Sequence, residues 1–269
     1  MKGGTAMTVK KHHWLPWGTL LGTMAMGEAQ AETPWINWQS GNIQYLHGWS
    51  YNTDPHTNRF TDGGDEHDVV TVEYFNDWRY GDNFVFADIV APTDQGTEVY
   101  GELSPRLSAG KISGLDLGLG PIKDVLLAGN MELGHNNRAF LLGPGLALNL
   151  PGFTYADLNF YARKSERDFI KRDTNWGWQV TFDWLVPLPI GRLQFLTEGF
   201  IDYAFGEGGG DAPKRDNIIA APRLLLDVGA LWGKANVVQA GVEYQYWHHQ
   251  YGVSGQHESV PQLMAKWIF

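Results

Sequence analysis

A side-chain alternation of period two runs through almost the whole chain, with no helical period of useful length. In the clearest segment Trp176, Trp178, Val180, Phe182 and Trp184 share one face, against Asn175, Gly177, Gln179, Thr181 and Asp183 on the other. The same pattern sets Val99, Leu103 and Leu107 against Glu98, Tyr100, Glu102 and Arg106. It also sets Leu158 and Phe160 against Asp157, Asn159 and Arg163. About twelve such segments are counted, each near the ~9–11 residues of a tilted membrane strand. They fall near 42–50, 68–78, 83–91, 97–107, 125–134, 138–149, 153–164, 175–185, 193–203, 217–228, 236–248 and 259–269. Links at 51–67, 165–174, 204–216 and 249–258 read as long and polar, those at 79–82 and 150–152 as tight, and 108–124 as a long exception. The expected fold is all-β: a transmembrane antiparallel β-barrel.

Composition narrows the alternatives. The 33 glycines and 36 aromatics suit short strands, turns and aromatic girdles. With no cysteine there is no disulfide scaffold, thiolate metal site or cysteine nucleophile. A net charge of −10 argues against nucleic acid as a partner. The stretches 33–53 and 139–156 carry no charge, but polar residues in the first and Gly143, Pro144, Gly145, Pro151 and Gly152 in the second rule out a spanning helix.

The N-terminus reads as an export signal over residues 1–31. Lys10 and Lys11 precede an apolar stretch from Trp14 to Met26, and Ala29-Gln30-Ala31 fits the cleavage rule. Cleavage there leaves a barrel over 32–269 with a net charge of −12.

Parity also assigns an inside. Twelve acids fall on the polar face: Glu73, Asp77, Asp88, Glu98, Glu102, Glu132, Asp157, Asp183, Glu198, Asp202, Asp227 and Glu243. Only Arg106, Arg163, Arg223 and Lys266 match them. A secreted soluble barrel would turn its apolar face inward and has no need of alternate tryptophans on one strand. In the last strand Leu263, Ala265, Trp267 and Phe269 share the outward parity. A strand ending in Phe resembles the signal read by the barrel-assembly machinery, an expected partner in biogenesis alongside outer-membrane lipid.

The segments Leu103-Ser104-Pro105-Arg106-Leu107-Ser108, Leu117-Gly118-Leu119-Gly120-Pro121-Ile122-Lys123-Asp124 and Ala128 to Gly134 resemble the Tsx family of nucleoside-specific outer-membrane channels. Asp68 to Phe75 and Phe84 to Asp88 are similar to that family's early strands. The resemblance implies a monomeric twelve-stranded barrel in the bacterial outer membrane, passing nucleosides passively by weak aromatic and ionisable sites. It places Tyr51 near a family aromatic and matches Glu73 to a strand-two glutamate. Parity alone adds the other lining candidates Phe75, Phe84, Phe86, Asp88, Glu98, Tyr100, Glu102, Arg106, Glu198, Phe200, Asp202, Arg223 and Glu243. Tyr155, Tyr161 and Trp247 are further inward aromatics, and Arg106 is expected to pair with Glu102.

Two other readings compete. A general or cation-leaning small-solute pore needs only the acidic lining. An outer-membrane phospholipase needs a Ser–His pair with an orienting Asn. His248, His249 and Ser254 sit near a strand end, but no compact His-x-Ser element lies within a strand. The glycines around Glu207 lack the strand–loop–helix context and the Lys-Ser/Thr of a phosphate loop. No enzyme, metal or cofactor is expected. This reading predicts a heat-modifiable, detergent-extracted barrel whose assembly yield drops when Phe269 is deleted. Recovery as a soluble, helix-rich protein by circular dichroism would contradict it.

Overall fold

The computed structural model describes residues 35–54, 59–93, 96–135, 137–167, 175–208 and 214–269. The export signal over 1–31 lies outside the described residues. The strands are β1 (Ile36–Asp54), β2 (Arg59–Trp78), β3 (Gly81–Thr93), β4 (Gly96–Ser108), β5 (Ile122–Leu133), β6 (Asn137–Leu148) and β7 (Tyr155–Arg167). They continue with β8 (Gly177–Ile190), β9 (Leu193–Phe205), β10 (Asn217–Ala220), β11 (Arg223–Asp227), β12 (Val238–His248) and β13 (His257–Ile268). Every neighbouring pair is antiparallel, and β13 pairs with β1 from Asn42↔Ile268 to Gly48↔Gln262, closing the sheet.

The thirteen segments make twelve staves, because β10 and β11 are two pieces of one. Both lie between β9 and β12 in a register that does not slip: Ala220 faces Ile201 and Tyr246, and Arg223 faces Glu198 and Glu243. The break falls at Pro222, which has no N–H to give the ladder. Ala221 N still donates to Phe200 O (3.1 Å), and Pro222 O accepts from Tyr244 N (3.0 Å).

The twelve expected strands are all present, with ends shifted by a few residues. The link at 51–67 is the main correction. β1 and β2 run on through it, pairing Tyr51↔Asp65 and Thr53↔Phe60 across register shifts. Gly63 and Gly64, at φ +86° and +89°, take up the surplus residues in a conformation that costs glycine little. From Arg59 to His67 the sequence has no apolar alternation, so its polar composition resembled a loop. The long link after β4 holds a short helix, α1 (Ala109–Ser113), capped by Ser108, which accepts from Lys111 N at 2.9 Å. Lys111 reaches Gly81 O (2.9 Å) and the Asp77 carboxylate, which ties α1 to the β2–β3 turn. Asp227, expected among the lining acids, instead accepts from Ala230 N (3.0 Å) and Asn236 N (2.7 Å), fastening the β11–β12 link.

The two faces separate as parity requires. Trp178 is 59% exposed and its neighbour Gln179 is 3% exposed. Phe182 and Trp184 stack on the outer face, their centroids 5.7 Å apart. At the β1–β13 seam Phe269 exchanges backbone hydrogen bonds with Gly41 (2.9 and 3.2 Å). A Cβ at Gly41 would come 2.7 Å from the Phe269 ring, which packs over the glycine. Phe182→Arg, on the lipid face, is predicted to cost up to about 2–4 kcal/mol by the depth-dependent membrane penalty. Thr181→Arg, on the inner face beside Asp202, is predicted to be much milder in the same urea-unfolding titration in lipid. Equal losses would contradict the assignment of faces.

Candidate functional site

The interior is not an evenly lined tube. Arg223 on β11 stands directly opposite Glu198 on β9 and Glu243 on β12, and bonds both (3.2 and 2.6 Å). It also reaches Glu73 on β2 at 3.1 Å, a contact between staves that are not neighbours and hence one made through the interior. Lys266 on β13 joins the same group through Glu198 (2.6 Å) and Glu73 (3.9 Å). Neutral side chains complete it: Asn42 donates to Glu73 (3.0 Å), Gln262 to Glu243 (2.7 Å) and Tyr51 to Gln262 (2.8 Å). Beside it Leu46, Leu196, Leu225 and Met264 pack together with Val69, all on the inner parity. Gln44, Leu225 and Val260 are wholly buried. The wall from β9 through β11–β13 to β1 is therefore packed like a protein core.

A second group fills the β5–β8 side at the end opposite the chain's tight turns. Arg163 holds the Glu132 carboxylate in a two-pronged contact, bonds Gln179 (2.7 Å) and approaches Glu207 (3.5 Å). Glu207 in turn bonds Ser165 and Lys214, so the link after β9 turns inward onto the barrel. Ala128, Ala139, Leu141 and Tyr161 cluster on the same side. Arg106 bonds Asp82 (2.7 and 3.0 Å) and Asp157 on β7 (3.0 Å).

Between these packed sides Phe84, Phe86, Asp88, Tyr100 and Glu102 on β3–β4, and Thr181, Asp183, Phe200 and Asp202 on β8–β9, keep partial exposure. On β3–β4 the rings of Phe84 and Phe86 lie 5.9 Å apart, as do those of Phe86 and Tyr100. Phe75 extends the aromatic surface onto β2, where it meets Trp38 at 5.5 Å. Carboxylates interleave with the rings, since Glu102 is directly opposite Phe86 and Asp88 directly opposite Tyr100. On the far wall Asp183 is directly opposite Phe200. Thr181 donates to Asp202 (2.5 Å), Thr71 to Asp88 (2.5 Å), and Tyr100 and Asn130 to Glu102 (2.6 and 2.7 Å). The result is a slot with rings and acids on two facing walls.

Charge divides the same way. Among the described residues, the inward cations Arg106, Arg163, Lys214, Arg223 and Lys266 are all ion-paired. Asp88, Glu102, Asp183 and Asp202 have no cation within 4.0 Å among those residues. Such desolvated pairs are held by mutual contact, and removing one partner typically costs about 3–5 kcal/mol. The expected lining therefore splits in two. Phe75, Phe84, Phe86, Asp88, Tyr100, Glu102, Phe200 and Asp202 border the slot. Tyr51, Glu73, Glu198, Arg223 and Glu243 belong to the packed bridge. Glu98 keeps inward parity, opposite Val90. Tyr161 is buried in its cluster, Tyr155 stays 42% exposed, and Trp247 lies against Tyr251 at 4.5 Å.

The Arg106–Glu102 pairing is not formed. Residues four apart on a strand are separated by about 13 Å of rise, whereas Asp82 is directly across the ladder. That pairing follows from the β3–β4 register, in which an irregularity between Val90 and Thr93 hides it from a simple count. Glu207 and Lys214 carried no signal, because a glycine-rich link has no parity. His248 and His249 meet His257 rather than a serine, with ring centroids 4.1–5.4 Å apart. No set of three His, Asp or Glu side chains among the described residues is arranged to hold a metal ion.

Comparison with known proteins agrees with this architecture. The family described as "Nucleoside-specific channel-forming protein, Tsx" matches residues 42–266, from within β1 to the last residues of β13. The Nucleoside-specific channel-forming protein Tsx of Salmonella typhimurium (strain LT2) is 25% identical over 186 residues, covering 64% of this chain and 56% of that protein. Outer membrane protein OmpK of Vibrio parahaemolyticus is 28% identical over 154 residues, covering 53% and 57%. The chain thus spans a little over half the length of these curated relatives. Two solved porins are more distant. NanC porin has a TM-score of 0.48 at 10% identity, covering 84% of this chain and 98% of that one. KdgM porin, in complex with disordered oligogalacturonate, has a TM-score of 0.47 at 9% identity, covering 85% and 99%. The matched family spans nearly the whole closed barrel, and the chain belongs to the Tsx family of outer-membrane channel-forming proteins.

Proposed function

We propose that the chain is a passive outer-membrane channel for nucleosides and deoxynucleosides, and not an enzyme. The observation that carries this reading is the run of rings Phe84, Phe86 and Tyr100 beside hydrogen-bonding carboxylates. A base stacked on an aromatic face gains about 1–3 kcal/mol whichever base it is. Ribose hydroxyls can donate to Asp88, Glu102 or Asp202. Each site is weak, which lets the solute leave as readily as it enters.

The packed bridge has a different part in this account. Held by five charges and their neutral partners, it narrows the lumen and directs solutes to the slot. A nucleotide presents the same base but adds about −1.5 to −2 charge at neutral pH. That charge would face acids that carry no counter-cation, in a confined space that focuses their field. A general cation-leaning pore is the second reading, and those same four acids favour it.

Planar-bilayer recordings separate the two. Nucleosides are predicted to block small-ion current at lower concentration than sugars of similar mass, and nucleotides to block poorly. Small-ion current itself should be cation-selective and lose selectivity as salt is raised. Phe86→Leu is predicted to weaken nucleoside block by roughly tenfold, within the range for loss of one stacking surface. Anion selectivity, or equal block by nucleosides and nucleotides, would overturn the proposal. Cation selectivity without nucleoside block would leave the general pore.

A further inference from the structure

Three slot carboxylates each stand directly across the ladder from an aromatic ring: Glu102 from Phe86, Asp88 from Tyr100 and Asp183 from Phe200. The first two lie on the ring-lined wall and the third on the wall facing it. The carboxylates that stand across from a cation are others: Asp82 from Arg106, and Glu198 and Glu243 from Arg223. Glu73 also stands across from Phe86 but is taken by Arg223 and Lys266, whereas Glu102, Asp88 and Asp183 stand beside rings with no cation within 4.0 Å among the described residues. We propose that the slot favours planar aromatic cations, and that N-ribosylpyridinium-type nucleosides pass it faster than neutral nucleosides. The inference rests on the nucleoside-channel reading and specifies its preferred substrate class.

Physical complementarity supports this on both of the solute's faces. A flat ring bearing positive charge is attracted to the face of Phe86, Tyr100 or Phe200 by the ring quadrupole, in addition to ordinary stacking. Its charge simultaneously finds a carboxylate one strand away. A neutral base gains only the stacking, and an acyclic cation gains the charge with little of the ring contact. The inward cations Arg106, Arg163, Arg223 and Lys266 are each held by at least one carboxylate and do not compete for the solute's place. Because the carboxylates recur along both walls, the cation can pass from one to the next and is not trapped at a single deep site.

The test is a flux series into proteoliposomes holding the full barrel, at matched concentration. The probes are the riboside of pyridinium-3-carboxamide, the zwitterionic riboside of pyridinium-3-carboxylate, uridine, uridine monophosphate and tetraethylammonium. The cationic riboside is expected to enter roughly three- to tenfold faster than uridine at low salt, with the ratio falling toward one at high salt. It should also exceed the zwitterion and tetraethylammonium. Asp183→Asn with Asp202→Asn should lower the cation-to-uridine ratio, with folding of the variant verified by heat-modifiability. If uridine enters and the cationic riboside is no faster, the inference fails and the nucleoside reading stands. If tetraethylammonium matches the cationic riboside, charge alone governs entry and the aromatic part of the inference fails. If uridine enters no faster than a sugar of its size, the nucleoside reading itself fails.

Discussion

The interior of this barrel depends on Arg223. One guanidinium group meets Glu198, Glu243 and Glu73, so it ties β9, β12 and β2 to β11 across the lumen. Burying a cation that deeply is tolerable only because carboxylates and amides complete its shell, and because Lys266 offsets part of their charge. On that side of the barrel the inner side chains of Gln44, Leu225 and Val260 are wholly buried. The slot bordered by β3–β4 and β8–β9 is what remains. Its shape follows from where the cations are, and its acidity from the acids they leave unpaired.

The architecture was legible because its signal is local and repeated. A membrane strand must show an apolar face to lipid and may show a polar one inward, so Trp176, Trp178 and Phe182 declared the outside against Gln179 and Asp183. Pro222 interrupts the tenth stave without shifting register, so parity survived there. It failed in the β1–β2 hairpin, where Arg59 to His67 show no apolar alternation and an extended strand looks like a loop. There the decisive residues are Gly63 and Gly64, whose positive φ a linear pattern does not reveal.

The site was legible only in part, because parity gives a direction and not a depth. Glu73 and Glu102 point inward alike, yet one is locked under Arg223 and the other lies beside Phe86. The difference is set by staves distant in sequence: Arg223 and Glu73 are 150 residues apart. Nearest-neighbour pairings such as Arg106 with Asp82 follow once the hairpin register is known. Contacts through the lumen, and the inward turn of Glu207 and Lys214, require the closed barrel.

The lumen has two packed groups and, between them, a more exposed slot. The chain contains no cysteine, so single cysteines can report which is which in the folded protein. The direct measurement is the labelling rate of Ser104→Cys and Phe200→Cys against Val260→Cys and Leu225→Cys, using a small charged thiosulfonate on barrels verified as heat-modifiable. All four positions have inward parity, but the first two border the slot and the last two are wholly buried. The account predicts rapid labelling at 104 and 200, and labelling at 260 and 225 only after unfolding. Equal rates at all four positions in the folded barrel would contradict it.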